Sequence, residues 1–395
     1  MSSSQSDITF SDRVLCPVLV SDFVSVPTRS SAFKSAFPSS EASTARKHAK
    51  SSEDHCFDCA KSKEEYHKSI RKIIEDLLTI SQAAQSKESI QNESNEANED
   101  DSNVVSIGPF KTAIYSNHGL FSTVYKARGD DGKVVALKAT TPSVMAAPHH
   151  SEREARILGQ ITRELHGRYI LPLLKSFRDG SQFVLVFPFL PHNLEQLLEG
   201  HTLSSTQRRS YLKDLFEGLK HLHSKGIIHR DVKPSNILLA SPVGPAYLAD
   251  FGIAWSPEDP DSEPVNEKIT DVGTTCYRPP ELLFGHTSYD CSSDLWAAGC
   301  VVAETIGLKN EPLFDSGPLG SELALIKSIF TSLGTPNIEI WPEAAEFPAW
   351  GKMQFYEYSA KSWEELVPGS TKDERDLVSK LVRYQSSDRL SAAEV

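Results

Sequence analysis

Residues 227–239 read Ile-Ile-His-Arg-Asp-Val-Lys-Pro-Ser-Asn-Ile-Leu-Leu, and no other stretch constrains the fold so tightly. Apolar residues at both ends predict buried strand-like segments flanking a loop that carries His229, Arg230, Asp231 and Lys233. So much charge beside so much apolar surface is costly unless the charged groups are paired or used. Asp231 and Asn236 stand five residues apart with Pro234 between them, so one loop can turn both towards a single point. A carboxylate there can take a hydroxyl proton, and an amide oxygen can bind a hard cation.

The rest of the chain is uneven. Of its 395 residues 39% are hydrophobic, enough for a real core, and the net charge of −12 with no basic stripe argues against a general nucleic-acid binder. No apolar run is long enough to span a bilayer, and no signal peptide opens the chain. Cys16, Cys56, Cys59, Cys276, Cys291 and Cys300 are sparse and read as reduced thiols of an intracellular protein, cytoplasmic or nuclear. The arm 1–106 begins Ser-rich and aperiodic, which predicts disorder over about the first 60 residues. Tyr66, Ile70, Ile73, Ile74, Leu77 and Leu78 then predict one amphipathic helix over 62–84. Cys56 and Cys59 form a single CxxC with no second pair at zinc-finger spacing, so no metal site is expected. Glu93, Glu96, Glu99, Asp100 and Asp101 mark an acidic linker over 86–103.

Order is expected from near Val104. Short β-type runs fall at Ala113 to Tyr115, Phe121 to Lys126 and Val134 to Lys138, with Gly129-Asp130-Asp131-Gly132 as a hairpin turn between the last two. Glu154, Ile157, Leu158, Ile161 and Leu165 predict a helix over 151–165, and strand-like runs follow at Ile170–Ser176 and Phe183–Phe187. From Leu194 the pattern turns helical, with Tyr211, Leu212, Leu215, Phe216, Leu219 and Leu222 on one face. This is α+β, with a small β-rich lobe (107–187), a join at 188–191 and a larger helical lobe (192–395).

The chemistry-bearing residues follow the same order. Val134 to Lys138 is an apolar strand whose alternation places Lys138 with Ala136 on one face; taken alone, Lys138 also reads as a snorkelling edge lysine. Ala249-Asp250-Phe251-Gly252 follows the apolar Ala246-Tyr247-Leu248 and puts a carboxylate where it can reach a metal. Tyr277-Arg278-Pro279-Pro280-Glu281, Asp294 and Trp296 near Cys300, and the late Asp388-Arg389-Leu390 complete the set.

Together these residues resemble the eukaryotic protein-kinase fold across about 108–395. Tyr277 to Gly285, Ser332-Leu333-Gly334-Thr335-Pro336 and Trp341-Pro342 are similar to the cyclin-dependent-kinase-like branch. The resemblance implies a bilobal protein serine/threonine kinase using ATP and Mg²⁺. It makes Asp231 the base, Lys233 a phosphoryl-steadying group, Asn236 and Asp250 metal ligands, and Lys138 with Glu154 the phosphate-holding pair, Glu152 being the rival partner. It lines the ATP cleft with Asn117, Gly119, Val124, Ala136, Lys138, Phe187, Leu190 and Leu239, Pro188 offering a carbonyl and Leu190 an N–H. It further implies a buried Glu281–Arg389 pair, and Asp294 as anchor of the catalytic loop.

The departures carry information. Only Gly119 remains of the three glycines expected over 117–124; Ser122 is small, and Asn117 tolerates positive φ. Of the usual cyclin-contact sequence Ser151 to Leu158 keeps only Arg153-Glu154, and the usual phosphothreonine position falls on Ile269, with Thr270 beside it. The insert Glu258-Asp259-Pro260-Asp261-Ser262-Glu263 offers a carboxylate for Arg230, and Thr274 is expected to bond Asp231 or Lys233. These features resemble the monomeric fungal kinases that activate cyclin-dependent kinases, implying such kinases as substrates and no cyclin requirement. A non-catalytic scaffold, or an ordinary cyclin-dependent kinase, is the competing reading. The resemblance also implies that the last helix continues past Ala393-Glu394-Val395.

Overall fold

The structure, a computed structural model, describes residues 104–129, 131–162, 169–200, 203–317 and 320–395. The expected helix over 62–84, the Cys56/Cys59 pair and the acidic linker lie outside these residues.

Six antiparallel strands make one sheet: β1 (Val104–Ile107), β2 (Phe110–His118), β3 (Ser122–Arg128), β4 (Val134–Thr140), β5 (Lys175–Asp179) and β6 (Gln182–Pro188), in the order β1-β2-β3-β4-β6-β5. Strict alternation in β4 sets its two faces. Val135, Leu137 and Ala139 are buried with Ile107, Phe110, Val184 and Val186, so Ala136 and Lys138 face the other way. The β3–β4 hairpin turns at Gly129 to Gly132, where Gly132 takes φ +79°. The small lobe thus starts at β1, just before the expected boundary at 107.

Helix α1 (Ser151–Thr162) buries Ile157, Leu158 and Ile161 completely, in a core that also holds Leu185 of β6 and Phe251. The strand expected over Ile170–Ser176 begins only at Lys175. Ile170 makes a single bridge to Leu248, and the Leu171 N–H donates to the Leu248 carbonyl, because burial in the large-lobe core outweighs pairing at the sheet edge.

A second sheet joins β7 (His192–Asn193), β8 (Ile237–Leu239), which follows the loop that carries Asp231, and β9 (Ala246–Leu248). Helices α2 (Leu194–Glu199), α3 (Ser205–His223), α4 (Pro280–Leu283), α5 (Ser292–Ile306), α6 (Glu322–Leu333), α7 (Trp363–Leu366) and α8 (Lys372–Leu381) build the larger lobe. Capping boxes start α2, α3, α7 and α8 (Asn193/Gln196, Ser204/Gln207, Ser362/Glu365, Thr371/Glu374). Helix α5 is buried on every side from Ser293 to Thr305, and α8 packs on it closely. A Cβ at Gly299 would lie 2.7 Å from Val382 and 2.8 Å from Leu381, so glycine sets that approach. The Glu281–Arg389 pair forms as expected, bidentate at 2.6 and 2.7 Å and fully buried.

Candidate active site

The catalytic loop is strained, and buried hydrogen bonds hold it. Arg230 takes φ +70°, uncommon for a side chain with a Cβ. The Asp294 carboxylate, 1% exposed, accepts from the backbone N–H groups of His229 (2.8 Å) and Arg230 (2.9 Å), which offsets that cost. The His229 ring is wholly buried: Nε2 donates to the Ala249 carbonyl at 2.9 Å, and Nδ1 accepts from the Asp231 N–H at 3.2 Å. Loop 229–236 is thereby locked to segment 249–252.

Asp231 collects four donors. Thr274 gives its N–H and hydroxyl to Oδ1, both at 2.9 Å; Lys233 Nζ (2.9 Å) and Asn236 Nδ2 (3.0 Å) reach Oδ2. Lys233 also donates to Thr274 Oγ1 at 2.8 Å, so Thr274 bonds both residues named for it. Burial disfavours the Lys233 charge, but Asp231 outweighs it and holds the ammonium above its ordinary range.

Across the cleft, Lys138 Nζ lies 2.8 Å from each Glu154 oxygen and 2.7 Å from Asp250 Oδ1. Glu152 pairs with Arg178 instead. Burial opposes the Lys138 charge, yet Asp250 and Glu154 hold its pKa above the usual lysine value; Lys138 in turn keeps Asp250 well below the usual carboxylate range. Asp250 also sits at positive φ, +63°. Asp250 Oδ2 and Asn236 Oδ1 accept no hydrogen bond from the described residues. Two such oxygens on one cleft suit a hard divalent cation.

That cleft encloses about 590 Å³, within the ordinary range for a small-molecule site. Asn117, Gly119, Val124, Ala136, Lys138, Phe187, Leu190, Asn236 and Asp250 all line it. Leu239 does not: it is fully buried in the large-lobe core, and Leu238 lines the cleft. Side chains alternate along β8, so Leu238 and Leu239 cannot share a face. Asn117 lies in β2 and does not take the positive φ it would tolerate. Its side chain accepts from the His118 N–H, while the Gly119 N–H donates to the Ser122 carbonyl at 2.7 Å, closing the turn. Leu171, Phe189 and Leu238 are among the further lining residues; nothing in the run Ile237-Leu238-Leu239 singles out the cleft-facing residue.

The segment after Asp250 is held by carboxylates. Arg230, buried, donates from Nη1 to Glu263 Oε1 at 2.9 Å, and Arg153 Nη1 lies 3.7 Å from Glu263 Oε2. Arg156 grips Asp259 with two bonds, 2.7 and 2.9 Å, and reaches Asp261. Burial favours the neutral form of Glu263, but Arg230 outweighs it and holds the carboxyl below the usual range. Ile269, at the expected phosphothreonine position, packs beside Ile228, Trp255 and Val272. The close approach of the segment to the loop requires glycine: Gly273 has φ +73°, and a Cβ there would lie 2.4 Å from the Arg230 carbonyl. Arg153 and Arg156 in this network went unassigned in the sequence; only their spacing on one helix pointed to it.

Comparison with known proteins agrees with this geometry. The protein kinase domain family matches residues 118–395. The chain is similar to serine/threonine-protein kinase csk1 of Schizosaccharomyces pombe, 37% identical over 275 residues, covering 68% of this chain and 87% of that protein. It is also similar to cyclin-dependent kinase 20 of Danio rerio, 34% identical over 279 residues, covering 69% and 78%. Among solved structures, the yeast RNA Pol II CTD kinase CTDK-1 complex matches with a TM-score of 0.58 and 28% identity, over 69% of this chain and 86% of that one. The chain therefore belongs to the protein kinase family, as a serine/threonine protein kinase of the cyclin-dependent-kinase-like branch.

Proposed function

We propose that this kinase phosphorylates the activation segment of cyclin-dependent kinases, and that it works without a cyclin and without phosphate on its own segment. The observation that carries the proposal is the Arg230–Glu263 pair at 2.9 Å, its arginine buried and its carboxylate half-buried, with Ile269 where a phosphothreonine would otherwise stand. A phosphate orders such a segment by giving a buried arginine an anion. Here Glu263 is that anion. The choice of substrate rests on the resemblance to fungal kinases that activate cyclin-dependent kinases and on the similarity to csk1.

In this reading Asp231 orients the substrate hydroxyl and takes its proton. Lys233 and Thr274 keep that carboxylate aligned, and Lys233 places a positive charge beside the reacting oxygens. Asn236 and Asp250 would hold Mg²⁺, and Lys138, fixed by Glu154, would hold phosphate oxygens. Asn117, Gly119, Val124, Ala136, Phe187, Leu190 and Leu238 would enclose ATP. When bound, ATP supplies the γ-phosphoryl group and Mg²⁺ neutralises charge developing on it. Protein kinases as a family use this pair.

The test is a panel of purified, inactive cyclin-dependent kinases incubated with the full chain and Mg-ATP. Phosphate on the activation-segment threonine of panel members, absent with Asp231→Asn, is the expected result. Transfer to other proteins but to none of the panel would contradict the substrate assignment.

A further inference from the structure

Asn117 and Ser122 stand where glycines are expected, and the loop between them is wired differently from a glycine-rich one. Glycine-rich phosphate loops work by bringing open backbone N–H groups close to the anion. Here two of those groups are used inside the loop. The His118 N–H donates to Asn117 Oδ1 at 2.8 Å, and the Gly119 N–H donates to the Ser122 carbonyl at 2.7 Å. Lys138, the cation on the same side of the sheet, is shared between Glu154 and Asp250.

The register of the sheet decides where the two replacement side chains go. Asn117 pairs with Val124, Val124 with Lys138, and Ser122 with Thr140. Cross-strand partners share a face, as do residues two apart along a strand. Asn117, Ser122 and Val124 therefore lie on the Lys138 face, and all four residues line the cleft. An irregularity between Tyr115 and Asn117 sets this register; without the extra residue Asn117 would turn to the opposite face. His118 and Tyr115, paired with Thr123 and Tyr125, share that opposite face, where the Tyr115 hydroxyl and His118 Nδ1 are bonded at 2.6 Å.

Both cleft-facing side chains bring an open donor. Because Asn117 Oδ1 holds the His118 N–H, the amide has one orientation, and its Nδ2 donates to nothing among the described residues. The Ser122 hydroxyl likewise has no hydrogen-bond partner among them, and a Cβ on Gly119 would lie 3.0 Å from Ser122 Oγ, so that oxygen packs against the turn itself. We propose that Asn117 Nδ2 and Ser122 Oγ are ligands of the nucleotide phosphates, side-chain donors that replace the backbone N–H groups used within the loop. The proposal rests on the assignment of the cleft to ATP and not on the identity of the protein substrate. Its consequence runs against the sequence pattern: restoring glycine at both positions weakens nucleotide binding.

The experiment is calorimetric titration of the full chain with ATP, ADP and adenosine, Mg²⁺ being present throughout. Ser122→Ala removes only the hydroxyl. Asn117→Asp keeps the oxygen that accepts from His118 and turns the donor into a carboxylate oxygen. Ser122→Ala raises the Kd for ATP at least about fivefold, and Asn117→Asp at least about tenfold because repulsion adds to the lost bond. ADP is weakened in the same order, and Asn117→Gly/Ser122→Gly binds ATP at least about fivefold more weakly than wild type. Adenosine, which has no phosphate, binds all variants as it binds wild type, which also shows that the cleft is intact. The proposal is overturned if the double glycine variant binds ATP as tightly as wild type or more tightly. It is overturned as well if Ser122→Ala leaves ATP binding unchanged, or if adenosine loses as much affinity as ATP. Wild-type protein that binds neither ATP nor adenosine would overturn the assignment of the cleft, and this proposal with it.

Discussion

Asp231 shows how far single residues were legible. Its neighbours within the motif, Lys233 and Asn236, bond it, and so does the more distant Thr274. Asp231→Asn replaces a carboxylate oxygen with a donor facing donors and removes the base. Turnover should fall at least about 100-fold with nucleotide affinity nearly unchanged, read from kcat and from equilibrium nucleotide binding. The residues the sequence hid are those whose partners lie far away in the chain. Leu238 and Leu239 are distinguished only by pairing with β9, and Glu304 reads as one polar residue in an apolar helix. Glu304, buried in α5 with its carboxylate bonded to the Tyr277 hydroxyl, also gives a pH test. Burial raises its folded pKa to about 7, above its ordinary value of 4.5, so between these values the folded chain keeps a proton that the unfolded chain has released. Stability must then fall as pH rises through that window. Glu304→Gln keeps an acceptor for Tyr277 and removes the titration. Its stability gain should grow from near zero around pH 4 to at most about 3 kcal/mol above pH 7. A gain independent of pH, measured by denaturant unfolding, would contradict this account of Glu304.

Among elements, the sheet and the main helices were legible because alternation in β4 and the apolar face of α3 are both complete within a short run. Ile170 to Leu174 reads as strand in the sequence and is not one, for the opposite reason: a short apolar run is equally consistent with a core segment, and the core holds Ile170 and Leu171. The Glu281–Arg389 pair, implied by resemblance, ties α4 to the segment after α8, and Arg389 also donates to the carbonyls of Ser292, Arg383 and Tyr384. Removing one partner strands a buried charge. Arg389→Ala should cost about 3–5 kcal/mol, read as a shift in the denaturant midpoint. A loss below 1 kcal/mol, the scale of a surface pair, would show that the pair does not hold the lobe.

At the scale of the whole molecule, the proposed independence from cyclin and phosphate rests on an alignment held by internal ion pairs. Glu154, which fixes Lys138, lies on α1 between Arg153 and Arg156, and both arginines face the carboxylates of the 258–263 insert. Arg230 joins the same insert to the catalytic loop. One internal ion network therefore couples α1, the catalytic loop and the segment that carries Thr274. The need for an anion was legible in the sequence, since Ile269 cannot carry phosphate. Which carboxylate meets which arginine was not, because those contacts span some 30 to 110 residues. Arg230 Nε and Nη2 have no hydrogen-bond partner among the described residues, so loss of Glu263 leaves the buried guanidinium little more than its contact with the Tyr289 ring. The decisive measurement is the kinase activity of bacterially expressed, phosphatase-treated protein, alone with Mg-ATP and a protein substrate, beside Glu263→Gln treated identically. Full activity in the treated wild type and at least about tenfold less in Glu263→Gln is the expected result. Activity that disappears on dephosphorylation at Thr270, appears only with an added cyclin, or is unchanged in Glu263→Gln would contradict it.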